Sequence, residues 1–326
     1  MVKLTIADER WPIAGNFTIS RGSKTEAHVV TVTLEDGNHT GHGECVPYPR
    51  YAETVPQVIA ALESARAGIE AGIARDDIPR LLEPMAARNA LDCALWDLEA
   101  KRLGTSVWRL AGLPEPRPAV TAYTLSLDAP EAMGEAAAKA RHRPLLKLKL
   151  GREGDVERLA QVRRNARDCR LIVDANEGWT ADNLQDMLFA CADHGVEMIE
   201  QPLPAGADDA LLQATRSVAV CADESAHGPE SLDRLIGKYD AINIKLDKTG
   251  GLTPAIALAR AAQAHGLTIM VGCMLATSLA MAPAMLLQPL AAVLDLDGPL
   301  LLQKDRSPGL RYDGSIINPP PAGLWG

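Results

Sequence analysis

A chain of 326 residues exceeds most single-core domains, but it suits one α/β barrel with a smaller companion domain. It is 47% hydrophobic with a formal charge of -9, and it contains no basic run that could follow a phosphate backbone, which excludes nucleic acid as a partner. The start of the chain lacks the apolar region of a signal peptide, and no stretch is apolar enough to cross a membrane, so we expect a cytoplasmic protein. Six singly scattered cysteines predict reduced thiols in that compartment.

The first hundred residues predict a small antiparallel sheet followed by helices. Residues 29–34 are β-branched and lead into Asp36-Gly37, a hairpin turn signal, after which residues 40–45 return as a second strand. Apolar residues then recur at helical spacing over 55–72 and 86–103, which predicts two packed helices.

A cluster of three prolines within residues 113–118 breaks any helix, and we place a domain boundary at residue 114. Downstream, short apolar strands alternate with helical segments, and the polar residue that ends each strand recurs every 22 to 27 residues. This period predicts βα units with parallel strands. A doubly wound open sheet could share the period, but it usually carries a glycine-rich phosphate turn, which is missing here, so a closed barrel is favoured.

Two lysines share one face of the first long barrel strand. In Leu-Lys-Leu-Lys-Leu at 146–150, side chains alternate, so Lys147 and Lys149 both point toward the barrel mouth. Burying two ammonium groups there costs free energy unless negatively charged groups face them.

Three carboxylates at the ends of the next three predicted strands supply that charge: Asp174, Glu200 and Asp223. A single carboxylate could simply cap the following helix. Three at successive strand ends, with no histidine or cysteine ligand among them, are typical of a hard-oxygen site suited to Mg²⁺. We therefore predict that these three residues bind Mg²⁺.

A third lysine, Lys245, faces inward by the same alternation in Ile-Asn-Ile-Lys at 242–245. It lies about four strands from Lys149, which places it across an eight-stranded ring. Two opposed lysines can remove a proton from one face of a carbon acid and return one to the other face. Mg²⁺ and Lys147 would stabilise the enediolate that forms beside a substrate carboxylate. The pattern predicts 1,1-proton transfer with Lys149 and Lys245 as the catalytic pair.

These motifs together resemble the enolase superfamily, in its muconate-lactonizing subgroup, over essentially the whole chain. The Lys-x-Lys motif, the acidic triplet and Lys245 within Asn-Ile-Lys-Leu-Asp-Lys-Thr-Gly-Gly match that pattern. The resemblance implies an α/β fold with a modified TIM barrel, (β/α)7β, at residues 115–299. It also implies an α+β capping domain at 1–114, completed by a C-terminal tail at 300–326, and Mg²⁺ on the acidic triplet.

Within that superfamily the chain is similar to the dipeptide epimerases, which are isomerases acting on amino acid derivatives. Asp295 and Asp297 share the inward face of the last strand and would bind the α-ammonium of a dipeptide's first residue. The resemblance implies a small-molecule dipeptide substrate, epimerisation at the C-terminal residue of L-Ala-D/L-Glu, and a place in murein peptide metabolism. A homo-oligomer is compatible with it.

The resemblance also suggests further substrate contacts. Lys24 stands where an arginine is expected to pair with the substrate glutamate side chain, and a lysine lacks the bidentate fork of an arginine. Arg21 is an alternative partner for that carboxylate. Thr124 lies near the first barrel strand, and Cys273 and Met274 follow a later one; we expect all three to contact substrate.

Three alternatives remain open from the sequence. One is a dipeptide epimerase of different side-chain specificity. Another is a cycloisomerase or o-succinylbenzoate synthase on the same scaffold, whose substrates carry no cation for Asp295 to bind. The last is a catalytically silent dipeptide-binding protein, which the intact lysines and carboxylates disfavour.

Overall fold

The computed structural model describes residues 2–326 and begins with a three-stranded antiparallel sheet packed on helices. The sheet runs in the order β1-β2-β3, and the elements of this region are β1 (Lys3–Ile19), β2 (Gly22–Asp36), β3 (His39–Cys45), α1 (Val55–Glu70), α2 (Ala86–Leu103) and α3 (Val107–Leu110). The predicted hairpin and both predicted helices are confirmed. Strand β1 was not predicted.

The second region is an eight-stranded parallel sheet in the order β12-β11-β10-β9-β8-β7-β6-β5. After β4 (Ala119–Val120), its strands are β5 (Tyr123–Leu125), β6 (Leu145–Lys149), β7 (Arg170–Asp174), β8 (Val196–Glu200), β9 (Ala219–Ala222), β10 (Ala241–Ile244), β11 (Thr268–Gly272) and β12 (Val293–Asp295). The two edges of this sheet, β5 and β12, meet just before β5, where the Ala122 amide donates to the Leu294 carbonyl at 2.8 Å beside a bridge between Thr121 and Leu294. The predicted α/β fold, a barrel with a separate sheet-containing cap, is confirmed.

Most barrel strands are joined by helices: α4 (Pro130–Ala140), α5 (Asp155–Asn165), α6 (Leu184–Asp193), α7 (Leu232–Leu235), α8 (Leu246–Thr249), α9 (Leu252–Ala264) and α10 (Ser278–Met285). The connection from β8 to β9 departs from the expected alternation, because it forms a 3-10 helix at Asp209–Leu212. Pro202, Pro204 and Gly206 lie at its start, and residues of these types disfavour a longer helix.

A layer of apolar side chains fills the barrel interior below its carboxyl ends. It takes one side chain from each strand or its start: Ala122, Leu145, Ile172, Met198, Cys221, Ala241, Met270 and Val293. Because side chains on a strand alternate with period two, the residues two positions later also point inward, one layer nearer the mouth. Those residues include Lys147, Asp174, Glu200, Asp223 and Asp295. The same alternation that packs the apolar layer therefore directs these polar side chains toward the barrel mouth.

The C-terminal tail returns to both regions. Strands β13 (Tyr312–Asp313) and β14 (Ile316–Ile317) pair with each other, and β14 pairs with β4. Trp325 is buried and its indole donates to the Cys93 carbonyl of α2 at 3.1 Å. These contacts are compatible with a cap completed by the tail, although the boundaries at residues 114 and 299 stay predictions.

Two further expectations concern the chain as a whole. All six cysteines are free thiols, as predicted. Among residues 2–326, no helix is both long enough and apolar enough to span a bilayer.

Candidate active site

Three buried carboxylates meet at the mouth of the barrel. Oxygen atoms of Asp174, Glu200 and Asp223 all lie within 4.8 Å of one another, at the ends of the neighbouring strands β7, β8 and β9. A set of three carboxylate oxygens, without nitrogen or sulfur donors, suits a hard divalent cation that completes its coordination with water or substrate oxygens. The residues present therefore fit a divalent metal ion.

The lysines of the site approach this cluster from different directions. Lys149, at the end of β6, lies 2.6 Å from Asp174, whereas Lys245, just after β10, lies 2.7 Å from Asp223. Strands β6 and β10 are four apart in an eight-stranded barrel, so the two ammonium groups lie on opposite sides of the carboxylates. Glu200 lies between them in strand order, on β8.

Lys147 sits at the centre of the cluster and is 1% exposed. Its ammonium lies 2.5 Å from Glu200, 2.7 Å from Asp295 and 3.3 Å from Asp174. Burial alone would lower its pKa, but these carboxylates raise the pKa well above its ordinary value. Lys147 therefore carries a positive charge in this arrangement.

The same balance of burial and charge acts on the groups around it. Burial would lower the pKa of Lys245, but Asp223 and Glu200 raise it well above its usual range. Burial would raise the pKa of Asp174, but Lys149 and Lys147 hold it below its ordinary value. Both groups are thus charged at neutral pH in this arrangement.

Two residues of the cluster, Lys248 and Asn243, are not among those that the sequence predicts. The Lys248 side chain is fully buried and donates to Asp223 Oδ1 at 2.6 Å and to the Asn243 carbonyl at 3.0 Å. The Asn243 side-chain Nδ2 donates to Glu200 Oε1 at 2.7 Å. Asn243 is two residues before Lys245 on the same strand face, so the alternation that identified Lys245 could also have identified it. Lys248 lies beyond the strand, where alternation predicts nothing.

A cavity of about 760 Å³ lies between the cluster and the cap. It is lined by the predicted residues Lys149, Lys245, Lys24, Cys273 and Met274, among others. Its cap wall comes from the end of β1, the start of β2 and the turn between them, and from the residues after β3. The structure thus brings residues that lie more than two hundred positions apart in the sequence around one cavity.

Lys24 and Arg21 both reach the cap side of this cavity, but their surroundings differ. Burial and the charge of Arg21 lower the pKa of Lys24, whose ammonium lies 5.0 Å from the ring centre of Tyr48. Within residues 2–326, no carboxylate lies within ion-pair distance of Lys24. Arg21, in contrast, pairs with Glu224 at 2.7 Å and with Glu177 at 3.1 Å. Lys24 is the cation that remains free to meet an acidic ligand.

Asp295 and Asp297 lie together at the end of the last barrel strand. Asp295 Oδ2 accepts from Lys147, while its Oδ1 is buried and has no hydrogen-bond partner among residues 2–326. Asp297 Oδ2 accepts from the Thr124 amide at 2.6 Å, and burial followed by the charge of Asp295 raises its pKa to about 6. Thr124 therefore positions Asp297 through its backbone, a contact that the sequence did not suggest.

Family models match both regions of the chain. Residues 1–112 match the N-terminal domain of the mandelate racemase / muconate lactonizing enzyme family, and residues 131–321 match the enolase C-terminal domain-like family. The two matches follow the order of cap and barrel in the structure.

Individual relatives cover nearly the whole chain. L-Ala-D/L-Glu epimerase of Escherichia coli (strain K12) is 44% identical over 314 residues, which cover 96% of this chain and 98% of that protein. N-acetyl-D-glutamate racemase of a Pseudoalteromonas species is 42% identical over 91% of this chain and 95% of that protein. A solved structure of an enolase family member from Agrobacterium tumefaciens, with homology to dipeptide epimerases and with bound sodium and L-Ala-L-Glu, is 51% identical, with a TM-score of 0.98 and complete coverage of both chains.

Proposed function

The chain belongs to the enolase superfamily, and from that premise we propose that it is a dipeptide epimerase, with L-Ala-D/L-Glu as its substrate. The epimerisation takes place at the α-carbon of the C-terminal residue. A role in murein peptide metabolism, in the cytoplasm, is part of the same proposal. The observation that carries it is the placement of Lys149 and Lys245 on opposite sides of one carboxylate cluster.

Each lysine serves one face of the substrate carbon. The neutral amine of one lysine accepts the α-proton, the C–H bond electrons pass into the adjacent carboxylate as an enediolate, and the ammonium of the other lysine donates a proton to the opposite face. One C–H bond breaks and one forms, so the configuration inverts without net change in charge. The roles of Lys149 and Lys245 reverse for the other epimer.

The acidic cluster is proposed to hold Mg²⁺ through Asp174, Glu200 and Asp223. A divalent cation there would supply positive charge that stabilises an enediolate and would offset the pull of the carboxylates on the lysine protons. Lys147 adds a permanent positive charge beside the same carboxylates, while Lys248 and Asn243 hold two of them in place. Rigid placement of this kind reduces the reorganisation that the reaction requires.

The two ends of the substrate are recognised by opposite charges. Asp295 Oδ1, buried and without a partner in the described chain, is an acceptor suited to the α-ammonium of the N-terminal residue, and Asp297 lies beside it. Lys24 is the proposed partner of the glutamate side chain, since Glu224 and Glu177 already engage Arg21. Cys273 and Met274 line the same cavity as Lys24 and are further proposed substrate contacts.

A second candidate is racemisation of an N-acylated glutamate. The relative from Pseudoalteromonas is an N-acetyl-D-glutamate racemase, and Asp295 already has a cationic partner in Lys147. Such a substrate shares the glutamate but lacks the ammonium group. The two candidates therefore differ at Asp295 and Asp297, and agree at Lys24, Lys149 and Lys245.

Proton exchange in deuterated buffer tests both candidates. The purified protein with Mg²⁺ would be incubated with L-Ala-L-Glu, L-Ala-D-Glu and N-acetyl-L-glutamate, and the α-proton of the glutamate followed by NMR. We expect loss of that signal and appearance of the second epimer for both dipeptides. Exchange confined to N-acetyl-L-glutamate would favour the racemase, and no exchange in any of the three would contradict both.

A further inference from the structure

One barrel carboxylate holds two separate segments of the cap. Glu177, in the loop after β7, accepts from Arg50 Nε and Nη2 at 2.7 Å each and from Arg21 Nη1 at 3.1 Å. It also accepts from the Ala205 amide at 2.8 Å, and its side chain is 8% exposed. Arg21 belongs to the segment between β1 and β2, whereas Arg50 belongs to the 3-10 helix after β3.

The backbone that presents Glu177 is strained. Asn176 and Glu177 both adopt left-handed conformations, with φ of 45° and 64°, which non-glycine residues rarely do and which cluster at functional sites. The geometry turns the Asn176 carbonyl toward the cap, where it accepts from Ser20 Oγ at 2.9 Å and from Arg21 Nη1 at 2.8 Å. The strained pair therefore presents a carbonyl to the segment of Ser20 and Arg21, and a carboxylate to both that segment and the segment of Arg50.

This loop is fixed to the site beneath it. The Asn176 amide donates to Asp174 Oδ1 at 2.9 Å, and the Glu177 amide donates to the Gln201 carbonyl at 2.9 Å. A Cβ on Gly178 would lie 2.8 Å from the Ala175 carbonyl oxygen, so the turn requires glycine there. The loop is a rigid extension of the barrel mouth, and the cap segments are attached to it.

Residues of the two segments held by Glu177 form part of the cap wall of the cavity. Lys24 follows Arg21 by three residues, and Tyr48 and Tyr51 flank Arg50; all of them line the cavity. Lys24 lies on β2, opposite Phe17 of β1, and makes no ion pair with the described residues, so the contacts of neighbours such as Arg21 and Ser20 help to place this hairpin over the barrel. Arg152 also donates to the Ser20 carbonyl at 3.0 Å, so the Glu177 contacts are among several that set the distance from Lys24 to the catalytic lysines.

We propose that Glu177 is a positioning residue that sets the affinity for the acidic side chain of the substrate, by fixing residues 20–24 and 48–51 to the barrel. The substrate in this proposal rests on the proposed function, whereas the attachment of the two cap segments by Glu177 does not depend on it. Glu177 touches neither the carboxylate cluster nor the reacting carbon; it acts through Arg21 and Arg50.

The test compares Glu177→Gln with a matched control, Glu197→Gln. Glu197 pairs with Arg170 near the start of the barrel strands, at a comparable distance of 2.7 Å but far from the mouth in strand position. Hydrogen–deuterium exchange of peptides covering residues 20–24 and 48–51 would be measured without substrate, and kcat and KM would be measured with L-Ala-L-Glu. Arg50→Gln, which leaves the Arg21 contact intact, is a second variant in case Glu177→Gln folds poorly.

We expect faster amide exchange in both segments of Glu177→Gln, because its charge-assisted contacts to Arg21 and Arg50 are weakened. KM should rise about tenfold and kcat should change less than about threefold, because a less firmly held Lys24 would bind the substrate side chain more weakly in the ground state and the transition state alike. Arg50→Gln should affect residues 48–51 more than 20–24, and Glu197→Gln should match the wild type. Unchanged exchange in both segments, or an unchanged KM despite faster exchange, would overturn the proposal. If the wild type turned over no dipeptide, the proposed function would fail, while the exchange data would still decide whether Glu177 fixes the cap.

Discussion

Four buried ammonium groups face four buried carboxylates in a small volume at the barrel mouth. They are Lys147, Lys149, Lys245 and Lys248 against Asp174, Glu200, Asp223 and Asp295. Taking such charges out of water costs several kcal/mol per ion, and pairing only partly offsets that cost. Removing one partner leaves a buried charge uncompensated. The cluster is thus better explained by chemistry than by stability. The effects of substitutions in it should be measured on substrate binding as well as on turnover.

Asp295→Asn tests the proposed ammonium site. The change keeps the shape but removes the charge, so kcat/KM for L-Ala-L-Glu should fall by roughly 10–100-fold, the equivalent of one charged hydrogen bond. Activity on a substrate without an ammonium group should fall much less. Asp313→Asn, at a side chain that is 57% exposed, is the control. Equal losses on both substrate types would mean that Asp295 acts through Lys147 alone.

Lys24→Arg tests the acidic side-chain site. An arginine restores the bidentate fork, so the ratio of kcat/KM for L-Ala-L-Glu over L-Ala-L-Gln should rise by about threefold to tenfold. Lys24→Gln should reduce the same ratio by at least that much. Steady-state kinetics on the two dipeptides measure it. A ratio that is insensitive to both changes would place the glutamate side chain elsewhere in the cavity.

Single residues of the site were predictable where strand alternation applied. The leucines that alternate with Lys147 and Lys149 are enough to indicate that both lysines point inward, because one face of the strand is wholly apolar. Lys248 was not predictable, because it follows the strand end and its burial depends on Asp223, which is 25 residues distant in sequence. The strained pair at Asn176 and Glu177 gave no signal either, since neither residue type demands a left-handed conformation.

At the scale of elements, the cap depends on close packing of β3 on α2. A Cβ at Gly43 would lie 2.9 Å from the Ala90 carbonyl carbon and 3.0 Å from the Ala94 amide nitrogen, and Gly41 faces the same helix two residues earlier. The helix ends at Gly104, whose φ of 61° lets its amide cap the final turn. Glycines at alternate strand positions therefore set the distance between sheet and helix.

Gly43→Ala should destabilise the protein by about 2–3 kcal/mol, because the added carbon meets backbone atoms that cannot move independently. Gly72→Ala is the comparison, since a Cβ there meets open space and the cost comes from its φ of 89° alone, about 1 kcal/mol. Urea denaturation of both variants measures the difference. A smaller loss for Gly43→Ala than for Gly72→Ala would contradict the packing account.

The elements differ in how well their patterns predict them. Helix α2 was predicted to the residue because thirteen of its eighteen side chains are buried, which imposes a strong apolar pattern. Strand β1 was missed because it lies at the sheet edge, carries charges at residues 8–10 and has a register shift between Pro12 and Phe17. Only Leu4 and Ile13 are buried in this strand, so it offers little hydrophobic periodicity.

At the scale of the whole molecule, cap and barrel meet close to the catalytic centre. Asp247, two residues after Lys245, accepts from the Val46 amide at 3.0 Å and from the Asn89 side chain at 2.8 Å, both in the cap. The regular interval of strand ends predicted the barrel, because each βα unit must span the same distance. It could not predict which cap residues would meet which barrel residues, since those contacts link positions about 160 to 200 apart in sequence.

Asp247→Asn should alter how stability depends on pH. Burial raises the pKa of Asp247 to about 7, so the folded state holds its proton more tightly than the unfolded state does. The stabilising contribution is therefore complete below about pH 4 and is lost as pH rises toward 7. Relative to the wild type, Asp247→Asn should gain roughly 3 kcal/mol between pH 4 and pH 7.5, measured by denaturant unfolding at each pH. A constant difference across this range would contradict the prediction.

The central claim is that Lys149 and Lys245 serve opposite faces of one carbon, and exchange by single-lysine variants tests it most directly. Lys149→Ala and Lys245→Ala would each be incubated with pure L-Ala-L-Glu and with pure L-Ala-D-Glu in deuterated buffer with Mg²⁺. We predict that epimerisation falls at least about 10³-fold in both variants, while each still exchanges the α-proton of one epimer, and the two variants exchange opposite epimers. Exchange of the same epimer by both variants would contradict the account.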